Sequence, residues 1–326
     1  MDKKSSFEFN SDYKSAGFHC IESIFQTVSL CDEINVSFMQ ANIKNMVNVK
    51  AFDCIFDDVS EDSKTEKQFE LPPENTISKV YDLFCQFTGL NNGVEVLLKK
   101  RIPAGGGLGG GSSDAASFLY ALTKLYGIEL TEKLADFVAS KVGSDVFFFV
   151  HSLLNGGERN AALVSGRGEI IKSLKPRNDL TFVFIFPEVH SSTKEAYGLL
   201  DDSYTAGKYF SCPDFGEYES IYNEAVEKWS FVNNFTPVLV SKYPVIAEAI
   251  SDMKKYGALW ADMSGSGSVV FGVFDNEKSA ETCVVGLSKL TCSADSNHSF
   301  STSVVCGAGE LSLNLRRKWK KCVLAH

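Results

Sequence analysis

The sequence predicts an α+β protein built from two halves, and three observations carry that expectation. The chain has 326 residues, 44% of them hydrophobic and only 8 proline, so it can bury a substantial core and is long enough for two domains. Strand-like alternation and helix-like spacing both occur, but not in the strict succession of repeated βαβ units. No internal repeat or low-complexity linker interrupts the chain, so the halves, taken as residues 1–178 and 179–326, are expected to pack against each other.

The elements follow in order. Residues 24–38 end in an alternating strand pattern, and further strands are expected over 47–56. Residues 57–75, rich in Asp and Glu and holding the pair Pro72-Pro73, read as an exposed loop leading to a helix start. Asn75 and Thr76 can cap a helix to about Thr88, with Ile77, Val80, Tyr81, Phe84 and Phe87 on one stripe. Gly93 precedes a strand over 94–99, which runs straight into a glycine cluster. After it, residues 114–126 place Phe118, Leu119, Leu122 and Leu125 at helical spacing and stop at Gly127. Thr131 can cap a helix over 132–142 ending at Gly143, and the apolar run Val146-Phe147-Phe148-Phe149-Val150 comes next. In the second half a strand is expected over 180–186, helices near 193–200, 217–229 and 245–256, and strands over 268–274 and 301–306.

Bulk properties narrow the function. Lys and Arg total 32 against 41 Asp and Glu, a net charge of -9, which disfavours a general nucleic-acid or anionic-membrane binder. An anionic ligand would need a local site. No apolar run is long enough to span a bilayer, and the opening Met1-Asp2-Lys3-Lys4-Ser5-Ser6 lacks the apolar segment of a signal peptide, so a cytoplasmic protein is expected. The nine cysteines are odd in number, form no C-x-x-C pair and sit mostly in apolar stretches. Reduced, buried thiols are the expectation, and no metal ligands are assigned.

Of the 25 glycines, six fall within seven consecutive positions. The segment reads Ile102-Pro103-Ala104-Gly105-Gly106-Gly107-Leu108-Gly109-Gly110-Gly111-Ser112-Ser113-Asp114-Ala115-Ala116, between a strand and a helix. Ordering each glycine costs roughly 0.5–1 kcal/mol relative to alanine, so bare backbone must be needed there. Uncovered N–H groups, joined to those at the start of the following helix, form a nest for a polyphosphate, and Ser112 and Ser113 add hydroxyls. The segment fits neither G-x-x-x-x-G-K-[ST] nor a Rossmann fingerprint.

Residues 103–116 resemble the second motif of the GHMP kinases, the family of galactokinase, homoserine, mevalonate and phosphomevalonate kinases. Met263-Ser264-Gly265-Ser266-Gly267 is similar to their third, glycine-rich motif. Gly17-Phe18-His19 with Glu22-Ser23-Ile24-Phe25-Gln26, Gly143-Ser144-Asp145-Val146 and Gly166-Arg167-Gly168-Glu169 are similar to the branch whose acceptor is a cytidine diphosphate-linked methylerythritol of the non-mevalonate isoprenoid route. The resemblance implies a ribosomal protein S5-like N-terminal half and a ferredoxin-like C-terminal half. It implies an ATP-dependent kinase for the 2-hydroxyl of that small molecule, with Mg²⁺ accompanying ATP, no nucleic-acid or membrane partner, and a monomer or weak homodimer.

The resemblance also implies roles. Pro103, Gly105, Gly106, Gly107, Leu108, Gly109, Gly110, Gly111, Ser112 and Ser113, with Gly265, Ser266 and Gly267, would hold the nucleotide. Asp145, after a glycine helix stop and before an apolar run, would act as base or orient the hydroxyl. Phe18, His19 and Tyr197 would take the cytosine, since rings can stack on a pyrimidine and an imidazole can bond its edge. The family's first motif, P-A-K-I-N-L-x-L, is poorly matched. Counting back from Phe18-His19 without a gap puts Lys3 on its lysine, with Ser5 for the asparagine and Met1 for the proline. A different small alcohol acceptor, or a nucleotide-binding relative that has lost its first motif, are the alternatives this leaves open. His151, His190, His298 and His326 read as structural or exposed, and the basic run over 316–321 as a solvated end.

Overall fold

The computed structural model describes residues 19–54, 67–156, 160–187, 189–290 and 300–305. Lys3, Phe18, His298, His326, Cys292, Cys306, Cys322 and the basic run over 316–321 lie outside these. The described residues form three sheets. Strand β1 (Ile21–Gln26) pairs with β6 (Ala161–Gly166), which pairs with β7 (Ile170–Leu174). The second sheet has the order β2-β5-β3-β4, from β2 (Glu33–Phe38), β3 (Val47–Asp53), β4 (Lys67–Phe69) and β5 (Val94–Lys100). Only its β3–β5 pair is parallel.

Four helices cover that sheet: α1 (Thr76–Thr88), α2 (Gly110–Leu125), α3 (Glu132–Val142) and α4 (Ser144–Leu154). Their apolar stripes meet in one core around Tyr81, Phe84, Phe118, Leu119 and Leu122. The caps follow the sequence: the Asn75 side chain accepts from Ser78 N–H, Thr131 accepts from Leu134 N–H, and Gly127 takes a positive φ of 67° beyond the end of α2. Phe87 departs from its expected stripe. It is 43% exposed and lies 5.2 Å from Phe137.

The third sheet is antiparallel, ordered β11-β8-β10-β9, from β8 (Thr181–Pro187), β9 (Trp260–Met263), β10 (Val270–Phe274) and β11 (Phe300–Val305). With helices between β8 and β9 and between β10 and β11, this is the ferredoxin-like arrangement. The helices are α5 (Thr193–Thr205), α6 (Tyr218–Asn223), α7 (Phe235–Lys242), α8 (Pro244–Lys255) and α9 (Glu277–Leu290). Every residue of β8 is buried because both faces are covered. Val183 and Ile185 enter the core with Ile246 and Met253, while Phe182, Phe184 and Phe186 pack with Leu30 and Ile102 from the first half. The residue that leads into the glycine cluster is thus anchored in the seam between the halves.

Several expectations are corrected. Helix α2 begins at Gly110 rather than Asp114, because glycine backbone can take helical angles once the loop has turned. The loop expected over 57–75 contains β4, which pairs with β3. The helix expected over 217–229 is α6 flanked by two short 3₁₀ turns, at Phe215–Glu217 and Val226–Lys228. Cys20 and Cys31 are exposed, and among the described cysteines only Cys54 and Cys283 are buried.

Candidate active site

Where β5 ends, the chain turns through Arg101 and Ile102 into loop 103–109 and enters α2 with Gly109 at the N-cap, φ 67°. Gly105 and Gly107 also have positive φ, 74° and 77°. A Cβ on Gly107 would lie 2.1 Å from the Ser264 carbonyl oxygen, and one on Gly106 would lie 2.6 Å from Val269 Cγ2, so close approach as well as backbone angle requires glycine here. Leu108 is partly buried against the seam core and pegs the loop. Among the described residues, no N–H group from 105 to 111 has a hydrogen-bond partner. Seven consecutive free donors, the last two in the first turn of a helix, make an anion site. The Ser113 hydroxyl donates to the Gly110 carbonyl at 2.9 Å, and Ser112 is half-buried beside it.

The third motif lies against this loop. Ser264 Oγ donates to the Gly107 carbonyl at 2.9 Å and Val269 N–H donates to the Gly106 carbonyl at 3.2 Å. Gly265 and Gly267 have φ of 51° and 82°, and the Ser266 hydroxyl is 3.0 Å from that of Thr193 at the start of α5. The N–H groups of Gly265 and Ser266 likewise have no partner among the described residues. Two glycine-rich loops, one from each half, therefore present free donors side by side.

Beneath the first loop sits an ionic cluster that sequence reasoning missed. Lys100 Nζ is 2.6 Å from Asp114 Oδ2 and also pairs with Asp32 Oδ2. Asp32 Oδ1 accepts from Ile102 N–H at 2.9 Å and from Arg101 N–H. Burial pushes the Asp114 carboxyl up to about 7, against the lowering pull of Lys100 and with Asp32 adding to the rise. Burial opposes the Lys100 charge, but the two carboxylates outweigh it and hold the ammonium above its ordinary value. The available signal was the lysine pair Lys99-Lys100 that ends the strand, of which Lys100 is buried, together with the aspartate that follows the glycine cluster.

Asp145 stands in the first turn of α4, after Gly143. Burial raises its carboxyl above the usual range. The turn containing Gly166 and Gly168 backs this end: a Cβ on Gly168 would lie 2.6 Å from the Ser144 carbonyl oxygen, and Glu169 Oε2 accepts from Arg167 N–H at 2.6 Å. A Cβ on Gly109 would meet the Phe149 ring at 3.1 Å, so α4 and the phosphate loop touch. Tyr197, on α5, is raised by burial and then by the charges of Asp145 and Asp201. The His19 ring stacks on Tyr197 with centroids 4.2 Å apart and 11° between planes, and its Nε2 is 3.4 Å from Asp201 Oδ2. The structure brings together Asp145, His19, Tyr197 and both loops. His190, expected to be structural or exposed, is exposed with its ring against Gly105, where a Cβ would lie 2.8 Å from Cε1.

Two folded halves with a glycine loop from each meeting in the seam define the class. The profile of the GHMP kinases N-terminal domain matches residues 75–152, and that of the GHMP kinases C-terminal domain matches residues 215–290. The chain belongs to the GHMP kinases, ATP-dependent enzymes that phosphorylate small molecules. Within that family it is 34% identical over 285 residues to a 4-diphosphocytidyl-2-C-methyl-D-erythritol kinase of Treponema pallidum, covering 86% of this chain and 90% of that one. The enzyme of that name from Thermotoga maritima is 33% identical, covering 84% and 90%. A crystal structure of 4-(cytidine 5'-diphospho)-2C-methyl-D-erythritol kinase superposes with a TM-score of 0.62 at 26% identity, covering 84% of this chain and 88% of that one. Among the described residues no helix is long and apolar enough to cross a membrane.

Proposed function

We propose that this chain transfers the γ-phosphoryl group of ATP to the 2-hydroxyl of 4-diphosphocytidyl-2-C-methyl-D-erythritol, in non-mevalonate isoprenoid precursor biosynthesis. The observation that carries the nucleotide half is the pair of glycine loops whose N–H groups from 105 to 111, and at Gly265 and Ser266, lack partners among the described residues. The acceptor half is supported by likeness, over most of the chain, to kinases named for that substrate.

Pro103 and residues 105–113 cradle the phosphates from one side, and Gly265, Ser266 and Gly267 from the other. Asp145 accepts or orients the acceptor proton as the hydroxyl oxygen forms its bond to phosphorus and the β–γ bridge bond of ATP breaks. Lys3 supplies positive charge beside Asp145, and Phe18, His19 and Tyr197 hold the cytosine. Mg²⁺ would accompany the ATP, held chiefly by nucleotide phosphate oxygens and water. Bound there, it neutralises phosphate charge. The same reading puts the enzyme in the cytoplasm as a monomer or weak homodimer, with no nucleic-acid or membrane partner and a domain boundary between residues 178 and 179.

Incubation of the purified protein with ATP, Mg²⁺ and the cytidylyl substrate should release ADP and the 2-phosphate. Release no greater than that of an Asp145→Asn control would refute the assignment.

A further inference from the structure

The third glycine-rich loop is held from behind by a residue with no role so far. Asn233 lies just before α7, and its side-chain amide is almost fully used: Nδ2 donates to the carbonyls of Met263 at 2.7 Å and Gly265 at 2.8 Å, and Oδ1 accepts from Phe235 N–H at 2.9 Å. Its backbone N–H donates to Asp262 Oδ2 at 3.0 Å. Asp262, buried on β9, uses Oδ1 to accept from Met263 N–H at 2.7 Å and from the Thr236 hydroxyl at 2.5 Å. A single amide thus gathers the two carbonyls that bracket Ser264, the residue whose hydroxyl bonds Gly107. Among the described residues, the N–H groups of Gly265 and Ser266 are left without partners.

Resting on the kinase reading above, we propose that Asn233 is a positioning residue for nucleotide binding, setting the third loop in register with the phosphate loop. A loop with two glycines in four residues has little stiffness of its own, and although Ser264 and Ser266 hold it to Gly107 and Thr193, the two carbonyl ties from Asn233 fix the backbone on either side of Ser264. Without the ties, ordering the loop falls to the ligand, and affinity for the phosphates drops.

The test titrates wild type, Asn233→Asp and Asn233→Ala with Mg²⁺ and a non-hydrolysable ATP analogue, and separately with cytidine diphosphate. Asn233→Asp keeps the acceptor for Phe235 N–H and replaces the two donations by a carboxylate oxygen that repels the two carbonyls. Asn233→Ala covers the case in which a charge at 233 prevents folding. Both should bind the analogue about tenfold more weakly while cytidine diphosphate binding changes less than about twofold. Unchanged analogue affinity in a folded variant, equal weakening of both ligands, or failure of both variants to fold would each overturn the proposal. Gly107→Ala tests the underlying reading on its own: if that variant, forced against Ser264, binds the analogue as wild type does, the loops are not the nucleotide site.

Discussion

The Lys100 ammonium lies 2.6 Å from the Asp114 carboxylate directly beneath the glycine loop, and it pairs with Asp32 at the same time. One charge therefore ties the end of β5 to the N-terminal part of α2, on either side of the turn that holds the glycine cluster. Asp32 adds bonds to the N–H groups of Arg101 and Ile102. Such a loop loses much chain entropy when ordered, so fixing both ends before the ligand arrives preserves affinity. Two carboxylates share one ammonium beside a polyphosphate site, and burial, with the Asp32 charge adding to it, pushes the Asp114 carboxyl up to about 7.

Removing the lysine and neutralising the aspartate should have opposite consequences. Lys100→Met strands two buried carboxylates and should destabilise by about 3–5 kcal/mol. Asp114→Asn leaves one ammonium facing one carboxylate and should be tolerated. The folded Asp114 value, about 7, lies above the ordinary 3.8, so between these the folded state binds the extra proton. Its contribution to stability is present at low pH and is lost as pH rises through about 7. Urea melts at pH 5 and pH 8 should therefore show Asp114→Asn gaining on wild type as pH rises; a constant difference would refute this.

Local patterning made much of the fold legible. The Asn75 and Thr131 caps and the stripe of Phe118, Leu119 and Leu122 needed only spacing, because each is decided within one or two helical turns. The glycine cluster announced itself because six glycines in seven positions have few structural uses. The Lys100–Asp32–Asp114 cluster was hidden because its members are separated by 68 and 14 positions, and only tertiary packing shows that they share one buried site. Asn233 was hidden in the same way: nothing in its neighbourhood signals two carbonyls 30 and 32 residues on.

Asp145 offers a prediction with two parts. Asp145→Asn keeps the shape and the position at the start of α4 but cannot take a proton, so kcat should fall about 10²-fold or more, with little change in KM for ATP. Because burial raises the carboxyl, the group becomes protonated, and inactive as a base, at a higher pH than an ordinary aspartate. The acid limb of kcat/KM should lie above the usual carboxylate range and disappear in the variant. A limb at the ordinary position would mean that Asp145 is solvated when it works.

The last prediction concerns the ring pair. His19 and Tyr197 stack on each other at 4.2 Å, and Phe235 meets Tyr197 edge-on at 4.9 Å and 90°, so Tyr197 is braced from the C-terminal half. A cytosine can extend this stack on the open face of His19 or part the two rings, and either way the aromatic surface of Tyr197 supports the contact. Base–aromatic stacking is worth about 1–3 kcal/mol, so Tyr197→Ala should raise KM for the cytidylyl substrate by roughly 5–150-fold and leave KM for ATP near wild type. Tyr197→Phe keeps the ring and should retain wild-type KM for both. If the phenylalanine variant lost as much as the alanine one, the hydroxyl near Asp145, rather than the ring, would be the group that binds, and Tyr197 would belong with the proton-transfer machinery.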